Sequence, residues 1–85
     1  MKLILLKYKR NEKLSLNYFV EEETLFTDIP TLGIAFTCVD NWCSDNGRNV
    51  VTINDIDFGS EIVINTTRNN IAKDEYDIIF KIKND

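Results

Sequence analysis

The stretch YDIIFKIK at residues 76–83 decides the fold, because its apolar and polar side chains alternate with a period of two. This alternation is typical of a β-strand that packs one face on a core and leaves the other in water. The same alternation occurs at residues 14–20, and short β-branched runs at residues 50–53 and 62–64 also favour strand geometry. The sequence therefore predicts a mainly β chain.

Two turn signals organise these strands. Residues 10–13 (RNEK) predict the turn of a first hairpin that pairs residues 2–9 with residues 14–20. Asn46-Gly47 predicts a type I′ turn of a second hairpin, because both residues tolerate positive φ. That second register places Asp45 opposite Arg48, and it places Asp40 on the same apolar face as Trp42.

The remaining segments are less regular. Residues 21–30 are expected to form a loop or a short helix, residues 54–60 a turn, and residues 67–74 a connection with room for one helical turn. No stretch predicts an amphipathic helix of three turns. The sequence predicts one β domain over residues 1–85, with five to six antiparallel strands in a small sandwich or open barrel and at most one short helix or helical turn.

Charge is sorted along the chain. Residues 1–20 carry five basic side chains and one acid, for a net charge of +4, whereas residues 21–67 carry nine acids and one base, for a net charge of −8. The whole chain has a net charge of −4. A concentrated negative field attracts basic partners and repels nucleic acid and anionic membrane surfaces.

The composition argues against most catalysis. The chain has no histidine, so the commonest general base and most zinc sites are missing. Cys38 and Cys43 have no zinc-ligand spacing and are expected to be unpaired thiols of a cytoplasmic protein. Asp55 and Asp57 before Gly59 faintly resemble a calcium loop, but an acidic turn is the simpler interpretation. We expect a non-enzymatic protein that needs no cofactor and no metal.

The N-terminal segment allows two interpretations. Its apolar run at residues 3–6 is too short for a signal peptide, which needs about 7–15 apolar residues, so a strand is expected. The basic residues near the first turn are Lys2, Lys7, Lys9, Arg10 and Lys13. They either hold a phosphate or protect an edge strand from pairing with another chain, and the negative overall field favours edge protection.

The candidate binding residues are acids and one tryptophan. Trp42 lies between Asp40 and Asp45, so it is either a core residue or an aromatic anchor inside an acidic rim. The full candidate set for binding a basic protein partner is Glu21, Glu22, Glu23, Asp40, Trp42, Asp45, Asp55, Asp57 and Glu61.

In its size, acidity and lack of catalytic residues, the chain resembles the small bacterial immunity proteins that neutralise nuclease bacteriocins and contact-dependent growth inhibition toxins. The resemblance lies in Glu21–Glu23, Asp40-Asn41-Trp42, Asp45 and residues 55–61, and it includes no diagnostic motif. It implies an inhibitor that covers the basic active site of a toxin, with complementary charge speeding the encounter and buried anchors slowing release.

Two alternatives stay open. A phage-encoded inhibitor of a host defence nuclease would use the same acids to imitate nucleic-acid phosphates, spaced in two rows. A structural or assembly subunit would pair through its strand edges. The sequence does not fix the oligomeric state.

Overall fold

A computed structural model describes residues 1–11, 13–14, 16–56 and 60–84. These residues form five strands and one helix. The elements in chain order are β1 (Lys2–Asn11), β2 (Leu16–Phe26), α1 (Leu32–Asn46), β3 (Arg48–Ile56), β4 (Glu61–Arg68) and β5 (Asp77–Lys83). Residues 57–59, with the predicted site residue Asp57, lie outside the described residues, and residues 54–56 of the predicted turn at 54–60 belong to β3 instead.

The five strands form one antiparallel sheet in the order β2-β1-β5-β4-β3. The prediction of a mainly β chain with about five antiparallel strands and one short helix is confirmed, and the first hairpin pairs β1 with β2 as expected. The layer that packs on the sheet is helix α1. Strands β2 and β3 are the two edges of the sheet.

The core lies between the sheet and α1. Its strand residues point to one side of the sheet, which we call the helix side, and the helix contributes buried side chains one turn apart. The largest fully buried side chains are Phe80, Leu3, Leu5, Ile64, Ile78 and Val39. The alternation of residues 76–83 thus identified the central strand correctly, because β5 is paired on both sides and alternates buried Ile78, Phe80 and Ile82 with half-buried neighbours.

The opposite side of the sheet, which we call the open side, is covered by no helix or strand among the described residues. Ile4 and Leu6 point to it, yet each is only 5% exposed. Lys81 pairs with Ile4 in the ladder and is half-buried with its ammonium bound to Glu61. The aliphatic parts of such long side chains contribute to the burial of this side.

The predicted Asn46-Gly47 hairpin is wrong, because these residues end helix α1. Gly47 has φ +70° in the left-handed region, and its N–H donates to the Cys43 carbonyl. The helix begins at Thr31, whose Oγ1 accepts a hydrogen bond from the Ile34 N–H. An Asn-Gly pair serves a helix C-terminus as well as it serves a turn, since both need positive φ. Asp40 consequently lies on the exposed face of a helix and not on an apolar strand face.

Two further expectations are corrected. Residues 21–26 form neither a loop nor a helix, since they extend β2 along the full length of β1. The lysines of β1 do not protect a sheet edge, because β1 is an interior strand paired with both β2 and β5. The apolar run at residues 3–6 explains this interior position: Leu3 and Leu5 face the core, while Ile4 and Leu6 fill the open side.

Candidate functional site

Three consecutive glutamates occupy the middle of edge strand β2. Glu21 pairs with Lys7 in the ladder, Glu22 with Leu6, and Glu23 with Leu5, so Glu21 and Glu23 share the helix side while Glu22 points to the open side. All three side chains are exposed. We call Glu21, Glu22 and Glu23 the acidic edge.

One member of the acidic edge is tied to its own chain. The Lys7 ammonium lies 2.9 Å from the Glu21 carboxylate and 5.6 Å from the centre of the Tyr76 ring. The hydrogen bond to Glu21 is the main cause that raises the pKa of Lys7 above 10.5, with partial desolvation opposing it. Among the described residues no cation lies within ion-pair distance of Glu22 or Glu23, so two of the three charges are available to a partner.

Exposed aromatic side chains flank the acidic edge on its own strand. Tyr18 is 49% exposed, Phe19 53% and Phe26 49%. Phe19 is held in place by an edge-to-face contact with Tyr8, with ring centroids 5.8 Å apart. Carboxylates and partly fixed aromatic rings thus lie side by side on β2.

The sequence did not reveal these aromatic residues as surface groups. The alternation at residues 14–20 predicted Tyr18 in the core, because a period of two gives the two faces of a strand but not its place in the sheet. An edge strand beyond the reach of the helix leaves both faces in water. Topology was therefore needed to find them.

The helix carries a second group of acids. Asp40 and Asp45 are exposed on α1, away from the side that packs on the sheet. Cys43, on the buried side, has a thiol pKa raised to about 11, chiefly by burial and further by the charge of Asp40, while Arg48 lowers it. Cys38 and Cys43 are both free thiols.

Trp42 packs against the core and not inside an open acidic rim. Its ring meets Phe80 edge to face, with centroids 5.3 Å apart, and the side chain is half-buried. The predicted strand face shared by Trp42 and Asp40 depended on the hairpin that does not form. A role of the remaining exposed part of Trp42 in binding stays a prediction.

The other predicted acids lie on the far half of the sheet. Asp55 is exposed on edge strand β3, opposite Ile62 of β4. Glu61 is half-buried at the start of β4 and lies 3.2 Å from the Lys81 ammonium, so its charge is already compensated. Strands β2 and β3 are separated by four interstrand spacings, or about 19 Å. The predicted acids thus fall into three groups and form no single patch.

Arg48 is the one buried charged side chain among the described residues, at 3% exposure. One terminal nitrogen donates to the Asp74 carboxylate at 2.6 Å and to the Tyr76 carbonyl, and the other donates to the Asn46 carbonyl at the end of α1. This network joins the helix C-terminus to the first residue of β3. Its position beside a cleft of about 470 Å³ was not predicted, since an arginine at a strand start gives no sequence signal of burial.

Two negative findings concern the described residues only. They contain no group of three or more histidine, cysteine, aspartate or glutamate side chains placed to hold a metal ion. Within the same ranges, no helix has the length and apolar content required to cross a membrane.

Comparison with protein-family models, with curated proteins and with solved structures finds no match to this chain.

Proposed function

We propose that this chain is a non-enzymatic inhibitor that binds a basic protein partner through the acidic edge, in the manner of an immunity protein that neutralises a toxin domain. The observation that carries the proposal is the position of Glu21, Glu22 and Glu23, all exposed in the middle of an edge strand. Edge strands commonly carry lysine or proline, which prevent pairing with another chain, and β2 has neither. Three acids there exclude other acidic chains and attract basic ones.

The charged and the aromatic side chains of β2 have separate roles in binding. Glu22 and Glu23, which have no cation within ion-pair distance among the described residues, steer a basic partner and speed association. The rings of Tyr18, Phe19 and Phe26 supply the apolar contact that slows release. Lys7 fixes Glu21, which keeps one carboxylate oriented before the partner arrives.

The other described candidate residues lie away from the acidic edge. Asp40 and Asp45 on α1 extend the negative field on the helix side, and Asp55 and Glu61 belong to the opposite half of the sheet, while Asp57 lies outside the described residues. Trp42 is half-buried and packs its ring against Phe80 of the core. A basic nuclease toxin domain is the partner class that fits this field best, because a nuclease cleft is built to hold phosphates and accepts carboxylates in their place.

The arrangement of the acids favours an immunity protein over a nucleic-acid mimic. A mimic needs acids in two continuous rows, whereas the described acids are concentrated at the acidic edge and scattered over α1 and β3. A compact contact with one basic surface needs only the concentrated group.

The test is to co-purify the chain with the basic domain that its neighbouring gene encodes and to measure the affinity by calorimetry. The double substitution Glu22→Lys with Glu23→Lys reverses two free charges and leaves the Lys7–Glu21 pair intact. We expect it to weaken binding about 100-fold, since like charges across an interface cost several kcal/mol. The matched control Asp55→Lys makes the same kind of change on the other edge and should alter the affinity less than about threefold. Equal affinities for all three proteins, or failure to bind any basic domain at low salt, would refute the proposal.

A further inference from the structure

Strand β3 is the second free edge of the sheet, and its chemistry differs from that of the acidic edge. Residues 49–56 are all exposed, and no described strand pairs with their outer side. Val50, Val51, Ile53 and Ile56 are between 37% and 56% exposed. Twelve large apolar side chains are exposed among the described residues, and nine of them lie on β2 and β3. Both edges therefore expose apolar surface that another chain could cover.

The outer side of β3 carries almost no charge. Its four central residues, Val50 to Ile53, are all β-branched, and the strand contains no lysine and no proline. Arg48 at its start is buried in the network with Asp74. Asp55 is the only other charged residue of the strand. Such a neutral β-branched edge has strong strand propensity and lacks the charges that usually prevent pairing.

We propose that β3 pairs with β3 of a second copy of this chain, which would join the two sheets edge to edge. A second copy fits this edge because β3 can pair with itself without bringing like charges together, whereas the acidic edge cannot. Antiparallel self-pairing of β2 about its middle would place glutamate opposite glutamate, which is unfavourable. The same operation on β3 opposes no like charges.

The register of this pairing follows from a bulge in β3. A two-fold axis perpendicular to the sheet keeps every side chain on its own side, so partners across the axis must face the same way. Val50 and Ile53 both face the helix side, opposite Thr66 and Ile64, because the register shift between Val50 and Thr52 inserts one extra residue. Without that shift they would face opposite sides.

An axis between Val51 and Thr52 satisfies this condition. It pairs Val50 with Ile53 of the second copy and Asn49 with Asn54, and both members of each pair lie on the same side of the sheet. Asp55 then lies opposite the backbone of Arg48 and not opposite another acid. The product is a ten-stranded sheet, five strands from each copy, with an acidic edge at each end.

This dimer is independent of the proposed function, because it leaves both acidic edges free. Each dimer would present two binding edges to basic partners. Loss of the dimer and loss of partner binding are therefore separately measurable.

The experiment is light scattering on the purified chain at about 100 µM, a concentration that populates dimers with micromolar dissociation constants. We expect about 20 kDa for the native chain, twice the 9.9 kDa of one copy. Val51→Lys and, separately, Ile53→Lys place a charge on the exposed edge and should return the mass to 9.9 kDa. The control Phe19→Lys changes an equally exposed residue of β2 and should leave the dimer intact.

Far-UV circular dichroism establishes that each variant is folded, and having two β3 variants protects against a folding failure in one of them. Amide hydrogen exchange gives a second measurement: residues 49–55 should exchange more slowly as concentration rises, while residues 17–24 should not change. A native mass of 9.9 kDa, or a mass that grows with concentration and is lowered by Phe19→Lys, would overturn the proposal.

Discussion

The two edges of this sheet occupy equivalent positions and have opposite chemistry. Strand β2 has three glutamates between exposed aromatic rings, and strand β3 has a run of exposed β-branched residues and one acid. Both strands are outermost, and both are almost fully exposed. Backbone groups alone would accept any strand, so we expect the side-chain charges of each edge to decide which partner it pairs with.

The edges also differ in how they are attached. Strand β2 is joined to the sheet by a long ladder with β1 and by the partly exposed Lys7–Glu21 pair. Strand β3 begins at a buried network that ties Arg48 to helix α1 and to Asp74. Substitutions that affect attachment should therefore be costly at the β3 side and mild at the β2 side.

The largest expected effect is at Gly47, where α1 meets β3. Gly47→Ala adds a β-carbon at φ +70°, and that carbon would overlap the backbone of Ile71 and Ala72. We expect a loss of more than about 3 kcal/mol in the free energy of unfolding, because backbone on both sides must move. The measurement is urea denaturation. Gly33→Ala is the matched control, since nothing lies within 4 Å of its new β-carbon, and it should be neutral or stabilising. Equal stability of the two variants would contradict the tight joint at Gly47.

A smaller effect is expected from breaking the ion pair at each edge. Arg48→Met removes a charge that is almost fully buried and leaves the Asn46 and Tyr76 carbonyls without their donors, so we expect a loss of about 3 kcal/mol. Glu21→Gln breaks an ion pair in which the carboxylate is half exposed and should cost less than about 1 kcal/mol. Chemical denaturation of both variants gives the two values. A larger loss of unfolding free energy for Glu21→Gln than for Arg48→Met would contradict this prediction.

The sequence predicted the elements better than their arrangement. The alternation at residues 76–83 identified β5, and the turn at residues 10–13 identified the first hairpin, because both signals are local. Helix α1 was missed because Gly47 takes positive φ at a helix end as it would in a hairpin, and the sequence does not show that Asn46 stays helical. The helical spacing of the buried residues Ala35, Val39 and Cys43 was concealed because Phe36, Cys38 and Trp42 between them are apolar as well.

The candidate site depended on information that a sequence does not contain. The acids Glu21–Glu23 were selected from charge alone, and all three are exposed; their role in binding stays a prediction. Their place on an edge strand, with Phe19 and Phe26 exposed beside them, follows from a strand order in which β1 pairs with β5 across the whole chain. Such nonlocal pairing leaves no signal in the residues of β2 themselves.

A pH-dependent effect is expected at the joint between α1 and β3. The Cys43 thiol has a folded-state pKa of about 11 against an ordinary value of 9.0, so the folded state keeps the proton that the unfolded chain releases. Stability should therefore fall as pH rises from 9 towards 11, by at most about 1.4 kcal/mol per pH unit. Cys43→Ala should remove this part of the pH dependence. The difference in unfolding free energy between the two proteins, measured at several pH values from 8 to about 10.5, tests the prediction; a constant difference would contradict it.

The smallest effect concerns the exposed apolar residues themselves. Phe19→Ala removes the edge-to-face contact with Tyr8 and should cost about 1 kcal/mol. Val51→Ala removes an exposed side chain from the bulge of β3 and should change the stability of the single chain by less than about 0.5 kcal/mol. Thermal denaturation at a concentration low enough to keep single chains apart measures both. A larger loss for Val51→Ala would mean that the β3 edge supports the fold of the monomer.

The central claim is that the acidic edge is the surface that binds a basic partner. Its most direct test is amide hydrogen exchange of the chain with and without the basic domain captured by co-purification. We expect slower amide exchange at residues 18–26 of β2 in the complex. The double substitution Glu22→Lys with Glu23→Lys should remove that protection. Protection confined to residues 49–56 of β3, or protection that survives the double charge reversal, would contradict it.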